Sequence, residues 1–235
     1  QAIGTASFPT LAAQIAAGQR NAMRATFGQL LRMVFFLTIP AAAGLFLLRE
    51  PVIRLLFERG RFSDDSTQMV AYALQFYALG LAAHAAVEIA VRAFYALHDT
   101  WTPVLAGVAA MALNIGLSLL LVGPLSFGGL ALANTTATAL EMVALLWLLR
   151  RKMGGVDGKR LAGTVIRSLV ATAIMAGAIG IWLTMLAGPW TQASIAAFGG
   201  IALAGVVYLG TSALLRSEEL RPALRLLTAR RGRRA

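Results

Sequence analysis

The chain has 235 residues, 58% of them hydrophobic and 13% charged, with a mean hydropathy of +0.73. A soluble domain is usually about 45–50% apolar and about 25% charged, so this chain cannot cover its apolar surface in water and is read as solvated mostly by lipid. The absence of cysteine excludes disulfide scaffolds, zinc ribbons and thiolate catalysis, and the net charge of +11 calls for either an anionic partner or a topological role.

In lipid every backbone polar group must be satisfied within its own segment. Long apolar runs without alternation therefore predict helices rather than a barrel. The first run, Gln1 to Ala17, is short and reads as the end of a span. The chain opens on Gln1 rather than Met and shows no signal peptide, so a fragment lacking its N-terminal part is expected. A second span is predicted over about Leu30 to Leu48, followed by a charged connection from Arg49 to Asp65. A third covers about Ser66 to Leu97, with Ser63 as its N-cap and Asp64 and Asp65 in its first turn. From Thr100 to Leu140 there is no charge, roughly 60 Å of helix at about 1.5 Å per residue and about twice the hydrocarbon thickness. That stretch must fold back, and Gly123-Pro124 and Gly128-Gly129 mark the place. The fourth and fifth spans are then about Thr102 to Val122 and Gly128 to Leu149. A sixth runs from Leu161 to about Ala187 and a seventh from about Trp190 to Leu215, turning at Gly188-Pro189.

The fold expected is an all-α polytopic bundle of about six complete spans plus the end of another. The layout is a truncated helix over 1–18, a four-span lobe over 19–150, two further spans over 151–215 and a basic tail over 216–235. Pro9 and Pro40 fall inside spans, where proline kinks or breaks a helix.

Lys and Arg cluster at alternate connections: Arg20, Arg24 and Arg32 after the first segment, Arg150 to Arg160 after the fifth span, and seven arginines from Arg216 onward. The positive-inside rule then places the C-terminus in the cytoplasm and makes the net charge a topology signal rather than a nucleic-acid footprint. In the tail, Leu220, Leu224 and Leu227 share one helical face among arginines. An amphipathic helix lying on the anionic leaflet and a simple retention signal explain them equally well.

Polar groups at membrane depth are costly, and each is a functional candidate. Glu88 and Arg92 have the favourable order for an ion pair within a helix. Glu141 and Arg167 lie roughly 12 Å and 9 Å from their shared basic connection, at depths that allow a pair across helices. Asn114 and Ser118 share one face of the fourth span; Asn134, Thr138 and Glu141 share one face of the fifth. Facing one another, these oxygens could hold a hard cation such as Na⁺ or simply glue two helices together. His84 and His98 are too far apart for a zinc-protease motif, and a lone membrane histidine reads as a packing residue. No Walker loop or GxGxxG is present, so no enzyme is expected.

Two segments carry a resemblance. Glu50 to Phe62 reads EPVIRLLFERGRF, and Arg92 to Pro103 reads RAFYALHDTWTP; a span ending Gly123-Pro124-Leu125 and a GLALA start at Gly129 follow in order. With Gly4 to Pro9, these resemble the MurJ (MviN) family of lipid II flippases, within the wider multidrug/oligosaccharidyl-lipid/polysaccharide exporter superfamily. The likeness covers residues 1 to 150 by motif and the last two spans by position and hydropathy.

The resemblance implies the C-terminal half of a fourteen-helix inner-membrane transporter that moves the undecaprenyl-linked peptidoglycan precursor by alternating access. It implies lipid II and bilayer lipids as partners, no nucleic acid, a monomer, and no cofactor beyond coupling to Na⁺ or to the membrane potential. The family's cavity arginines lie in helices absent from this chain. Its Na⁺ site falls by position near Asn114, Ser118 and Asn134, although a carboxylate expected near Ser118 is here a hydroxyl. The motif residues Arg59, Gly60, Arg92, Tyr95, Asp99, Thr100 and Pro103 are expected to fix loops and the lobe hinge rather than bind substrate. A related lipid-linked oligosaccharide exporter, an intramembrane enzyme acting on prenyl pyrophosphates and a non-transporting scaffold are the alternatives.

Overall fold

The structure is a computed structural model that describes residues 2–58, 62–155, 157–185 and 192–220. Among the described residues the chain forms seven helices and no strand: α1 (Ala2–Ala16), α2 (Arg20–Leu47), α3 (Arg49–Phe57), α4 (Asp64–Ala96), α5 (Trp101–Met153), α6 (Gly158–Met185) and α7 (Gln192–Leu214). Of these, α2, α4, α5, α6 and α7 are long and apolar enough to cross a membrane.

The 53 residues of α5 are two spans rather than one. Ser126 leaves helical geometry at φ 49°, ψ −129°, between the two glycine breakers. Gly129 then lies so close to the Leu121 carbonyl that a Cβ there would overlap it, and a Cβ on Gly107 would sit 3.6 Å from Glu141. A straight helix would hold residues 107 and 141 roughly 50 Å apart. The chain therefore folds back at Ser126, giving the six complete spans that the apolar runs predict, with α1 as the end of another.

Three expectations change. The second span begins at Arg20, ten residues before the apolar run. Met23, Phe27 and Leu31 recur at helical spacing and are buried, so a polar-sided first stretch extends the helix, and Arg20, Arg24 and Arg32 lie on it rather than in a loop. The charged connection after Leu48 contains the helix α3. Its charges answer one another: Arg54 donates to Asp64 at 2.5 Å and pairs with Glu58 at 3.7 Å. Finally, neither Pro9 nor Pro40 ends its helix; α1 and α2 run through both.

The predicted cap at Ser63 is present, with Ser63 Oγ accepting from the Ser66 amide at 3.5 Å. The turn at Gly188-Pro189 and the leucines Leu224 and Leu227 lie outside the described residues.

Two apolar clusters hold the helices. One joins α1, α2, α4 and the second half of α5 around Phe27, Leu31, Phe94, Leu145 and Leu149. The other joins α2, α6 and α7 around Phe36, Met175, Ile179 and Tyr208. The helix α2 belongs to both, so α6 packs against α2 and α7.

The end of α5 is set by Gly154, at φ +70°, whose successor Gly155 donates back to Arg150 O at 2.9 Å. This is the left-handed position at which helices prefer glycine. The Arg24 guanidinium occupies the space a Cβ would take. Gly154→Ala is expected to cost about 1–2 kcal/mol through backbone strain, read as a lowered midpoint of thermal unfolding in detergent.

Candidate functional site

The polar and motif residues singled out in the sequence gather mainly in three places. The first lies between α4 and the second half of α5. His84 Nε2 and Asn134 Oδ1 are 3.1 Å apart, one helix turn from the buried Thr138. Glu141 continues the same face of α5 and makes no hydrogen bond or ion pair among the described residues, while His84 is close enough to act on it electrostatically. Beside this set the helices approach closely: a Cβ on Gly80 would sit 2.8 Å from Thr135 Oγ1, whose hydroxyl donates to Phe76 O at 2.8 Å. A histidine, an amide, a hydroxyl and a carboxylate spread over roughly 10 Å of one helix face are groups that can ligate a small cation or carry a proton. Among the described residues no group of three His, Cys, Asp or Glu side chains could hold a metal.

The second place is the first half of α5, where Ser118 Oγ donates to Asn114 Oδ1 at 3.3 Å. The two predicted polar faces are thus each organised within their own neighbourhood. Asn114 and Ser118 bond each other, Asn134 bonds His84 on α4, and no hydrogen bond joins the two sets. A lone membrane histidine such as His84 is expected to be a packing residue, and the structure differs. His84 is exposed on α4 and completes the Asn134 pair, which spacing along one chain could not show because fifty residues separate the partners. The expected pair of Glu141 with Arg167 does not form: α6 packs chiefly on α2 and α7.

The third place is the joint between α4 and α5, built by the RAFYALHDTWTP segment. Arg92 pairs with Glu88 within α4, as predicted. The helix ends where His98 turns left-handed at φ 57° and the Asp99 amide donates back to Phe94 O at 3.0 Å. Asp99 then starts α5. Its carboxylate accepts from the Thr102 amide at 3.1 Å and the Thr102 hydroxyl at 2.5 Å, and it binds Lys152 at the far end of the same helix.

One carboxylate therefore clamps both ends of the folded-back hairpin. Pro103 follows in the first turn, where no intrahelical partner for its missing N–H is needed, and it is buried. Thr100 is the N-cap by backbone position, but its side chain makes no cap bond; Asp99 supplies that bond. Tyr95 is exposed on the last turn of α4. Arg59 and Gly60 lie outside the described residues.

The Lys152 ammonium and the Thr102 bonds hold the Asp99 carboxyl at about 2, below its ordinary 3.8. A depressed carboxylate contributes stability above its unfolded value and loses it as pH falls through the folded one. Asp99→Asn is expected to lower thermal stability at pH 7. The difference from the parent should shrink between about pH 4 and pH 2 and vanish below, as read by unfolding in detergent across that range.

Residues 1–199 match the family model described as "Lipid II flippase MurJ". A probable lipid II flippase MurJ of Rhizobium meliloti is 34% identical over 210 residues, covering 88% of this chain and 38% of the relative. Another from Rhizobium tropici is 35% identical over 178 residues, covering 76% and 33%. Among solved structures, a lipid II flippase MurJ in an inward closed conformation matches with a TM-score of 0.71 at 24% identity, over 88% of this chain and 42% of that one. The fold is shared, and the chain spans between 33% and 42% of the length of these proteins.

Proposed function

The chain belongs to the lipid II flippase MurJ family, and from that premise we propose that it forms the C-terminal half of a transporter that moves lipid II from the cytoplasmic to the periplasmic leaflet of a bacterial inner membrane. The family match over residues 1–199 carries this reading. The helical bundle and its likeness to a solved flippase support it. In the proposed mechanism the chain supplies one lobe, which rocks against a second lobe and alternately opens a central cavity to either face. The cavity binds the pyrophosphate headgroup, and arginines suit that task because guanidinium groups pair with phosphate bidentately. The second lobe would supply them.

The polar set of His84, Asn134, Thr138 and Glu141 lies within the spans of this lobe, at a place suited to coupling the movement to Na⁺ or to the membrane potential. Asn114 and Ser118 would join it if the two halves of α5 shifted against each other. The protein would act as a monomer, as a transporter rather than an enzyme, with its C-terminus in the cytoplasm. The basic end of the bundle, with Arg150, Arg151, Lys152, Lys159 and Arg160, favours that orientation.

The full-length protein is expected to restore growth to bacterial cells depleted of their own lipid II flippase. Failure to do so despite normal membrane insertion would count against the proposal. A reporter fused after Ala235 should be active only as a cytoplasmic enzyme; activity outside the cell would overturn the orientation.

A further inference from the structure

At the basic end of the bundle a cleft of about 240 Å³ opens between α2, the first turns of α6 and the turn after α7. Four cations line it: Arg32, Lys159, Arg160 and Arg167. Two of them are answered. Arg32 Nε lies 3.3 Å from Glu219, and Arg160 Nε lies 3.2 Å from Asp157. Lys159 and Arg167 have neither an ion pair nor a hydrogen bond among the described residues. Glu218 also lines the cleft but pairs with neither.

The placement of Arg167 is informative. It sits nine residues into a membrane-length helix, roughly 13 Å from its start. An unanswered guanidinium there is costly. Side chains on a helix lean toward its N-terminus, so Arg167 leans toward the cleft, along the side of α6 that carries Gly163 and Thr164. The space beside Gly163 is open: a Cβ there would meet nothing within 4 Å.

We propose that this cleft binds the phosphate of an anionic phospholipid from the leaflet around that end of the bundle, with Lys159 and Arg167 as its ligands and Gly163 leaving the room. The lipid source is favoured because the cleft lies at the flank of a membrane-spanning helix, where basic pockets between helices meet headgroups. An acyl tail would find apolar surface above, since Val170 and Ile174 follow Gly163 and Arg167 on the same face of α6 and are exposed. The site needs only a bilayer around the helices, and it is independent of what the protein carries.

The test is lipid retention by the purified full-length protein, measured by native mass spectrometry during titration with phosphatidylglycerol, with phosphatidylcholine, and with inorganic phosphate as a competitor. Phosphatidylglycerol should be retained over phosphatidylcholine. The double variant Lys159→Gln/Arg167→Gln should weaken that retention about tenfold. Gly163→Leu, which keeps every charge and improves helix propensity, should weaken it comparably by filling the cleft. A charge-matched control at the same end, Arg20→Gln/Arg150→Gln, should change it less than twofold. Equal losses in the control and the double variant would show diffuse attraction and overturn the site, as would unchanged retention in Gly163→Leu. Displacement of the lipid by millimolar inorganic phosphate would assign the cleft to a free anion instead.

Discussion

Tyr208→Phe is expected to destabilise the bundle by about 1–2 kcal/mol although it removes a single oxygen. The reason lies on another helix. Pro40 has no N–H, so the Phe36 carbonyl four residues earlier lacks the partner an α-helix would supply. Tyr208 on α7 supplies it instead, its hydroxyl donating to Phe36 O at 2.6 Å, with the Phe36 and Tyr208 rings 5.2 Å apart. Tyr208 is only 5% exposed, so no water replaces the lost donor. Pro40→Ala restores the amide inside α2. In that background Tyr208→Phe should cost clearly less, and the difference measures the coupling. Equal costs in both backgrounds would show that the hydroxyl does not stand in for the missing amide. This bond also explains how α2 stays helical through a residue that the sequence marks as a breaker.

Glu219→Ala is expected to have the larger effect, about 3 kcal/mol, because it strands a charge. Glu219 is 8% exposed and binds the Arg32 guanidinium, itself 14% exposed, while accepting the Thr164 hydroxyl at 2.6 Å. One carboxylate thus fastens the turn after α7 to both α2 and α6. Arg32→Met/Glu219→Leu, which removes both charges, should recover much of the loss, since a buried ion pair is costly to break but contributes little compared with apolar packing. Unfolding in a neutral detergent free of anionic lipid provides the comparison. A double variant no better than Glu219→Ala would show that the pair itself, rather than the stranded arginine, sets the stability.

The spans were legible because lipid imposes a strong rule: an apolar run long enough to cross must be a helix, and an uncharged run twice that length must turn. The position of the turn followed from Gly123-Pro124 and Gly128-Gly129, and the structure puts the single non-helical residue, Ser126, between them. The cap at Ser63 and the ion pair of Glu88 with Arg92 were readable because both act within one helix turn. What failed needed three dimensions. Glu141 and Arg167 have matching depths, but neighbours in sequence are not always neighbours in the bundle, and α6 turns onto α2. His84 with Asn134, Tyr208 with Phe36 and Lys152 with Asp99 are partners fifty or more residues apart, and no spacing rule connects them. The start of α2 was missed because an apolar window ignores a polar-sided stretch that nevertheless buries Met23 and Phe27. Family membership was legible in two motif segments, and one of them proves to be the clamp at Asp99.

The central claim, that this lobe belongs to a protein that moves lipid II across the membrane, is tested most directly by following lipid II itself. In cells whose only flippase is the full-length protein, lipid II should be accessible on the outer face to an externally added lipid II-cleaving enzyme. That accessibility should collapse when the protein is depleted. Lipid II that stays accessible after depletion, or stays inside while the protein is abundant in the membrane, would contradict the claim.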